Sequence, residues 1–353
     1  MKKWIALLLA ACMLFALIGC AAKTAPASAK PEEFMFTDSV GRTVVLPDNI
    51  EKVAVSGPLA QIVVFALCPD KLVGIAQKWD KTAEKYLATE YYHLPELGQL
   101  YGGKGELNLE TLLASGAQVV IDVGEPKGSI AEDLDALSEQ TGIPFVHITA
   151  TIGTMGDAYR KLGELLHMPD EAEALAAYCD GTYAKIAKLA ERVEKVDLLY
   201  ITGDKGLNVI ARGSYHAEII DLLSNNLAVV DNPSSKGTGN EVDMEQIMLW
   251  NPDVILFAPG SVYASVGNDP MWSDIAAIRN GAYYEVPFGP YNWMGFPPSV
   301  QRLLGMLWMT KLLYPEAADY DLYTEVAEYF KLFYHCDLSK SDYHKLTMHS
   351  IGE

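Results

Sequence analysis

Positively charged residues are scarce in this sequence. It contains 27 lysine and arginine residues against 46 aspartate and glutamate residues, which gives a formal net charge of −19 at pH 7. Proteins that bind nucleic acids need a basic surface that neutralises phosphates. The charge balance therefore argues against nucleic acid as a partner. It says little about a small ligand, because a local pocket can oppose the sign of the whole chain.

Cysteine is also rare, with five residues in a chain of 353. Beyond the N-terminal region only Cys68, Cys179 and Cys336 remain, odd in number and far apart in the sequence. This pattern excludes a disulfide framework. Cys68 and Cys179 stand among apolar residues, which favours small core side chains over reactive thiols.

Common catalytic motifs are missing as well. The sequence has no G-x-S-x-G, no H-E-x-x-H and no C-x-x-C, so we predict that the chain is not an enzyme. A surface α/β hydrolase remains the alternative from another class, since a fold does not fix a function. A structural or adhesion protein without a ligand is a third possibility.

The long apolar run of this chain lies at its N-terminus. Lys2 and Lys3 precede an apolar stretch at 4–18, which ends in the sequence LIGC at 17–20. A basic start, a run of this length and a small residue before cysteine are typical of a signal peptide that resembles the bacterial lipobox. We predict that residues 1–19 are a signal peptide and that Cys20 carries the lipid. The alternative is an ordinary signal peptide with an incidental cysteine.

The segment after the signal peptide is rich in Ala, Ser, Pro and Lys and has no apolar period. Residues 20–33 are therefore predicted to be a flexible, lipid-anchored tether. No later stretch is long and apolar enough for a transmembrane helix. We expect the folded part to lie on the extracytoplasmic face of a cell membrane, at the outer surface or in a periplasm.

Short apolar strands alternate with helices in the rest of the sequence. This pattern predicts an α/β fold with central, mainly parallel sheets flanked by helices. After a hairpin at 34–50, the predicted strands are 53–56, 72–75, 119–123, 145–148, 198–202, 254–258 and 282–286. They fall into two groups, which suits a chain too long for one small core.

A helical segment at 170–193 separates the two groups of strands. At about 1.5 Å per residue it would reach about 36 Å, enough to join two lobes. We therefore predict an N-terminal lobe at 34–169, a spanning helix at 170–193 and a C-terminal lobe at 194–353. The second lobe closes with predicted helices at 298–314 and 323–334.

The two halves repeat one unit. The segment NLETLLASGAQVVIDVG at 108–124 aligns without gaps with DMEQIMLWNPDVILFAP at 243–259. Each unit is a helix, a polar turn and a buried strand, with Glu110 and Glu245 at matching places. The match favours a duplicated architecture. The alternative is that any helix–turn–strand unit has an acidic residue in its first helical turn.

The ordered set of motifs resembles the substrate-binding lipoproteins of ABC importers for iron–siderophore, haem, cobalamin and related metal complexes. The motifs are FTDSVGRTVVLP at 36–47, the units at 108–122 and 242–257, GPYNWMGFPPSVQRLLGMLWM at 289–309 and YFKLFYHCDLS at 329–339. The resemblance implies a monomer with two lobes joined by a helix and a ligand between the lobes. The N-terminal unit departs from the pattern at Gly116-Ala117-Gln118, where the family prefers a Pro-Asp turn.

The same resemblance implies partners and a ligand. Glu110 and Glu245 would dock on arginines of an ABC permease dimer, which works with ATPase subunits. The ligand would be a chelated metal ion, foremost an iron–siderophore complex, with no intrinsic cofactor and no metal held by protein side chains alone. Haem, a corrinoid, molybdate or a nickel chelate on the same scaffold are the alternatives.

Ligand contacts are expected in loops after the carboxyl ends of strands, where the lobes face each other. Aromatic rings there can stack on planar ligand groups, and an arginine suits an oxyanion or carboxylate. His216 would ligate a metal or only cap a helix, and each ring could equally cap its own core. The candidate residues are Trp79, Tyr101, Arg212, Tyr215, His216, Tyr291 and Trp293.

Histidines are concentrated near the C-terminus. His335, Cys336 and Asp337 are followed by His344 and His349. Their spacing matches no tetrahedral zinc pattern, so no metal site is predicted. We expect the last two histidines to lie in a mobile tail.

Overall fold

A computed structural model describes residues 33–101 and 106–351. The predicted signal peptide, the lipidated Cys20 and nearly all of the tether lie outside these residues and stay predictions. No helix within 33–101 or 106–351 is long and apolar enough to cross a membrane.

Strands and helices alternate through the described chain. The strands are β1 (Glu33–Thr37), β2 (Thr43–Pro47), β3 (Val53–Val55), β4 (Val119–Gly124), β5 (Phe145–Thr149), β6 (Asp197–Thr202), β7 (Asn208–Val209), β8 (Asn225–Asn226), β9 (Asn240–Glu241), β10 (Val254–Phe257) and β11 (Tyr283–Glu285). The helices are α1 (Pro58–Leu67), α2 (Thr89–Tyr92), α3 (Leu109–Ser115), α4 (Ile130–Thr141), α5 (Met155–Leu166), α6 (Pro169–Ala190), α7 (Glu218–Leu223), α8 (Met244–Trp250), α9 (Tyr263–Val266), α10 (Ala276–Arg279), α11 (Arg302–Leu313), α12 (Leu322–Phe333) and α13 (Lys340–Thr347).

The first sheet is parallel, with strand order β3-β4-β5. Every residue of β4 is buried, as expected of a strand covered on both faces. β1 and β2 form the predicted antiparallel hairpin beside it. The predicted strand at 72–75 is wrong. This segment makes only two isolated bridges, from Leu72 to Val53 and from Ile75 to Glu96.

The second sheet has the order β11-β10-β6-β7-β9, and β8 pairs with β6. Its pairs β10–β11, β10–β6 and β6–β8 are parallel, whereas β6–β7 and β7–β9 are antiparallel. Helices flank both sheets, so the predicted α/β class with mainly parallel sheets is confirmed. The strands β7, β8 and β9 have two residues each and were not predicted, since so short a strand carries no periodic signal.

The long helix α6 lies between the two sheets in the chain. It has 22 residues, about 33 Å at ~1.5 Å per residue, and ends three residues before the predicted limit. It packs against α5, and two glycines allow the close approach. A Cβ atom on Gly156 would lie 2.1 Å from an oxygen of Asp180, and one on Gly163 would lie 2.5 Å from the Cβ of Ala172.

The C-terminal helices connect both halves of the molecule. α11 packs on α6 and α7, and α12 packs on α11 and also on α1 of the N-terminal half. Phe330 contacts Tyr86 with ring centroids 5.1 Å apart, and Phe333 stacks on Tyr329 at 4.3 Å. The largest core cluster therefore contains residues of both halves, which resists independent movement of the lobes.

The expectation of a mobile C-terminal tail is wrong. Residues 340–347 form α13, whose first turn is capped by the side chain of Ser339. Tyr343 and Thr347 are buried, and the indole nitrogen of Trp308 donates a hydrogen bond of 2.9 Å to the hydroxyl of Ser350. In the described chain no group of three His, Cys, Asp or Glu side chains is placed to hold a metal ion.

Candidate functional site

A cleft opens at the carboxyl ends of β3 and β4, opposite residues of the C-terminal half. It has a volume of ≈ 170 Å³. From the N-terminal half its polar and loop lining includes Ser56, Gly57, Pro58, Tyr101, Asp122, Glu125 and Lys127. The amine of Lys127 lies 3.8 Å from the carboxylate of Glu125. From the C-terminal half it is lined by Tyr215, His216, Ser235 and Pro298. We call this cleft the ligand pocket.

The N-terminus of α1 opens into the ligand pocket. Gly57 is the N-cap residue in extended conformation, Pro58 is the first helical residue, and no side chain caps this helix end. The first backbone N–H groups of a helix have no partner within the helix. Such an end attracts anions, because the N–H groups and the helix dipole both favour negative charge.

The carboxylate of Asp122, in the wall of the ligand pocket, is held by two partners. Ser56 donates its hydroxyl hydrogen to one oxygen, and Nδ1 of the fully buried His147 lies 2.6 Å from the other. Asp122 itself is only 8% exposed. Its negative charge is thus engaged inside the N-terminal half, which reduces its repulsion of an anion in the pocket.

A buried arginine lies directly behind the pocket wall. Arg302, the first residue of α11, is fully buried, and its guanidinium lies 4.7 Å from the centre of the Tyr215 ring. Nη1 donates to the carbonyl of Tyr215 at 2.9 Å and pairs with Glu218. Nε and Nη2 are buried without a hydrogen-bond partner. Two guanidinium nitrogens with three N–H bonds are thus unsatisfied behind the pocket wall, and Arg302 itself does not line the pocket.

His216 is held in the wall of the ligand pocket. Its Nδ1 lies 3.0 Å from the carbonyl oxygen of Gly295. Burial lowers the pKa of His216 below its usual value, the charge of Arg302 acts in the same direction, and the Gly295 carbonyl opposes the shift. The ring is therefore neutral at neutral pH.

Three of the predicted ligand residues come together in the ligand pocket, namely Tyr101, Tyr215 and His216. The hydroxyl of Tyr101 donates to Asp133 at 2.6 Å, and that of Tyr215 donates to the carbonyl of Ala150 at 2.7 Å. Both hydroxyls are engaged elsewhere, so the rings rather than the hydroxyl hydrogens face the ligand. Contact with a ligand stays a prediction for all three.

The other aromatic candidates are core residues. Trp79 and Tyr291 are each 5% exposed and contact one another with ring centroids 5.8 Å apart. The indole nitrogen of Trp79 donates to the carbonyl of Tyr91, and Trp293 is fully buried with its nitrogen directed at Gly289. None of them lines the ligand pocket, because the surrounding helices cover the loops that carry them.

Arg212 also lies away from the ligand pocket. It is exposed, and its guanidinium donates to the side chain of Asn225 at 2.7 Å and to the carbonyl of Asn226. These hydrogen bonds connect Arg212 to both residues of β8 in the second sheet.

Sequence reasoning missed Arg302, because it stands inside the predicted helix 298–314. The available signal was one arginine in the otherwise apolar run RLLGMLWM.

The two predicted docking residues occupy equivalent helix starts. Glu110 lies in the first turn of α3, where Asn108 caps the helix by accepting from the N–H of Thr111. Glu245 lies in the first turn of α8, where Asp243 accepts from the N–H of Gln246. Both glutamates are exposed. Both helices end in a left-handed residue, so the repeat seen in the sequence is a repeat in three dimensions.

An exposed apolar residue follows each glutamate by three positions. Leu113 on α3 is 50% exposed, and Met248 on α8 is 42% exposed. Each unit thus presents a carboxylate beside an apolar side chain, a pattern suited to a partner that offers a cation and an apolar surface.

Comparison with known proteins identifies relatives along nearly the whole chain. The family model described as "Periplasmic binding protein" matches residues 63–289. The chain is 26% identical over 350 residues to the molybdate-binding protein MolA of Haemophilus influenzae, covering 90% of this chain and 95% of that protein.

Solved structures agree with this assignment. An ABC transporter solute binding protein from Sulfurospirillum deleyianum superposes with a TM-score of 0.80 at 27% identity, covering 88% of this chain and 98% of that one. A periplasmic solute binding protein from Veillonella parvula gives a TM-score of 0.74 at 26% identity, covering 90% and 97%. The chain therefore belongs to the periplasmic binding protein family and is a solute-binding protein of an ABC transporter.

Proposed function

We propose that this protein captures a small metal-containing oxyanion of the molybdate type in the ligand pocket and delivers it to an ABC permease without chemical change. The observation that carries the proposal is the uncapped N-terminus of α1, which presents backbone N–H groups to the pocket. Lys127, which lines the pocket 3.8 Å from Glu125, and the unpartnered Nε and Nη2 of Arg302 behind the wall support the same ligand charge.

The size of the ligand pocket favours an oxyanion over a siderophore. Its volume of ≈ 170 Å³ is below the range of about 300–1,000 Å³ typical of sites for drug-sized molecules. Of the five rings expected to stack on a planar chelate, Trp79, Tyr291 and Trp293 are buried in the core, and only Tyr101 and Tyr215 line the ligand pocket. The similarity to a molybdate-binding protein supports this ligand class. An iron chelate, the foremost expectation from the sequence, becomes the alternative that the same experiment tests.

Isothermal titration calorimetry of the folded domain tests the ligand class. We expect saturable binding of molybdate and tungstate, weaker binding of sulfate, and no binding of ferric siderophores, haem, corrinoids or nickel–histidine. Tight binding of an iron complex with no response to molybdate would overturn the oxyanion proposal and restore the chelate. If none of these ligands binds, both the oxyanion proposal and the chelate alternative are overturned.

Two charge variants test the anion site, one at the ligand pocket and one as its matched control. Lys127→Gln removes a positive charge at the ligand pocket and should weaken molybdate binding about three- to tenfold, with a smaller salt dependence. Lys188→Gln makes the same change of net charge on the exposed side of α6 and should leave affinity unaltered. Equal losses in both variants would indicate a diffuse effect of net charge rather than a contact at the pocket.

For location and partners we propose a lipid anchor at Cys20 and a monomer that docks through Glu110 and Glu245 on a permease dimer with its ATPase subunits. Two helix starts of equal geometry, one in each half, support docking on a two-fold partner. Several acyl chains on one residue would give stable anchoring. Membrane fractionation of the wild type and Cys20→Ser tests the anchor, since the variant should leave the membrane fraction.

A further inference from the structure

A second compartment lies beside the ligand pocket in the C-terminal half. It has a volume of ≈ 160 Å³ and sits at the carboxyl ends of β6 and β10, where Thr202 and Ala258 contribute to its wall. Phe288 and Phe296 give it a largely apolar surface. The space is nearly as large as the ligand pocket, and the proposed oxyanion does not require it.

The two compartments share a wall. The chain segment 235–238 contributes Ser235 to the ligand pocket and Gly237 to the second compartment. The segment 296–298 likewise contributes Pro298 to the ligand pocket and Phe296 to the second compartment. Each of these two segments, which belong to neither a helix nor a strand, borders both spaces.

The ring of Phe296 closes the contact between these segments. A Cβ atom on Gly237 would lie 2.3 Å from Cδ2 of Phe296 and 3.2 Å from Cε1 of His216. The absence of a side chain at Gly237 thus lets the Phe296 ring lie flat against the backbone, next to the histidine of the ligand pocket. Gly295, the residue before Phe296, accepts the hydrogen bond of that histidine.

Phe296 contributes little to the hydrophobic core. It is 58% exposed, whereas the neighbouring Trp293 and Met294 are buried. A large apolar side chain with this exposure gains little stability from burial. Its ring instead forms part of the wall of the second compartment, against Gly237.

We propose that Phe296 is a specificity-determining partition, which restricts the ligand pocket to small anions and excludes oxyanions that carry an apolar organic group. The inference rests on the proposed function, because it assumes that the ligand pocket takes an oxyanion. The second compartment has the apolar lining that an aryl group would need, and the Phe296 ring lies against Gly237 and near His216, where the two spaces meet. Exclusion of a wrong ligand by a bulky side chain is a general source of specificity.

Phenylarsonate is the probe that tests the partition. Its arsonate group is a tetrahedral oxyanion, and its ring matches the benzene ring that Phe296→Ala removes. We expect Phe296→Ala to bind phenylarsonate about tenfold or more tighter than the wild type, while molybdate affinity stays within about threefold in both. Methylarsonate, which has no ring, should bind to Phe296→Ala no more tightly than to the wild type.

Phe288→Ala is the matched control. Phe288 lines the second compartment, as Phe296 does, but the nearest neighbours of an added Cβ on Gly237 are Phe296 and His216. Truncation of Phe288 therefore enlarges the second compartment away from the contact with the ligand pocket. It should bind phenylarsonate as weakly as the wild type. Melting temperatures of both variants verify that each is folded.

The outcomes separate the partition from the proposed function. No gain in Phe296→Ala, an equal gain in Phe288→Ala, or tight phenylarsonate binding by the wild type would each overturn the partition. Loss of molybdate binding in folded Phe296→Ala would also overturn it, since the ring would then be a ligand contact. If the wild type does not bind molybdate, the proposed function fails and the partition fails with it. Molybdate binding without a gain for phenylarsonate in Phe296→Ala overturns the partition alone.

Discussion

At the scale of single residues, His216 lines the ligand pocket and also makes the stability of the protein depend on pH. Its ring is buried beside Arg302, and its Nδ1 faces the Gly295 carbonyl. Burial lowers its pKa in the folded chain, whereas the unfolded chain takes up a proton near the ordinary value of about 6.5. Below that pH the unfolded state binds more protons than the folded state, so stability falls as the pH falls.

We therefore expect His216→Asn to reduce the acid sensitivity of the fold. An asparagine keeps a donor for the Gly295 carbonyl but does not titrate. The wild type should lose more stability than the variant between about pH 7.5 and pH 5.5, as measured by urea unfolding at both values. Parallel losses in the two proteins would show that His216 does not carry this pH dependence.

Individual site residues were predictable only in part. The carboxyl ends of strands correctly drew attention to the region of Ser56, Tyr101 and Tyr215, because parallel strands present their following loops at one edge. Burial of Trp79 depends instead on Phe65 and Tyr291, which are far away in the chain. Such long-range packing leaves no periodic trace around the tryptophan itself, so the sequence could not distinguish a core ring from a ligand contact.

At the scale of secondary-structure elements, the pair α5 and α6 depends on small residues. Gly163 faces the Cβ of Ala172 and the carbonyl of Met168, whose oxygen would lie 3.0 Å from an added Cβ. Gly181 lies in the middle of α6 with nothing within 4 Å of an added Cβ. The same substitution at these two glycines should consequently have opposite effects.

We expect Gly163→Ala to destabilise the protein by about 1–3 kcal/mol, because the added methyl group separates the two helices. Gly181→Ala should stabilise it by about 0.5–1 kcal/mol, since alanine restricts the unfolded chain and favours the helix. Midpoints of urea unfolding measure both changes. A stabilised Gly163→Ala variant would mean that α5 and α6 can move apart without loss.

Most elements were predictable from hydrophobic periodicity, and the exceptions have physical reasons. The fully buried strand β4 and the helix α8 have apolar runs or spacings that identify them without further context. The helix α13 is polar in composition, and its position depends on contacts of Tyr343 and Thr347 with the rest of the chain. The segment 72–75 is apolar like a strand, but it meets its neighbours only through isolated bridges.

At the scale of the whole molecule, the two halves form one frame. α6 follows the first sheet and precedes the second, and α12 returns from the C-terminal half to pack on α1. A shared core of this kind favours small opening movements over wide closure. A stiff frame also keeps α3 and α8 at a fixed separation, which matters if both must meet a permease dimer at once.

Permease docking is therefore testable by reversing charge on both helices together. We expect Glu110→Lys with Glu245→Lys to abolish molybdate uptake by cells, while the purified variant keeps wild-type affinity, because neither glutamate lines the ligand pocket. Each single variant should retain part of the uptake, since a surface ion pair contributes only about 0–1 kcal/mol by itself.

The matched control changes the net charge equally at positions outside the two docking helices. Glu139→Lys on α4 combined with Glu194→Lys after α6 also reverses two exposed carboxylates. This control should transport normally, because the effect at α3 and α8 depends on position rather than on total charge. Equal loss of uptake in both double variants would point to net charge alone. Loss of molybdate affinity in the first would show instead that Glu110 or Glu245 acts on the ligand pocket or the fold, and the docking assignment would then have to be abandoned.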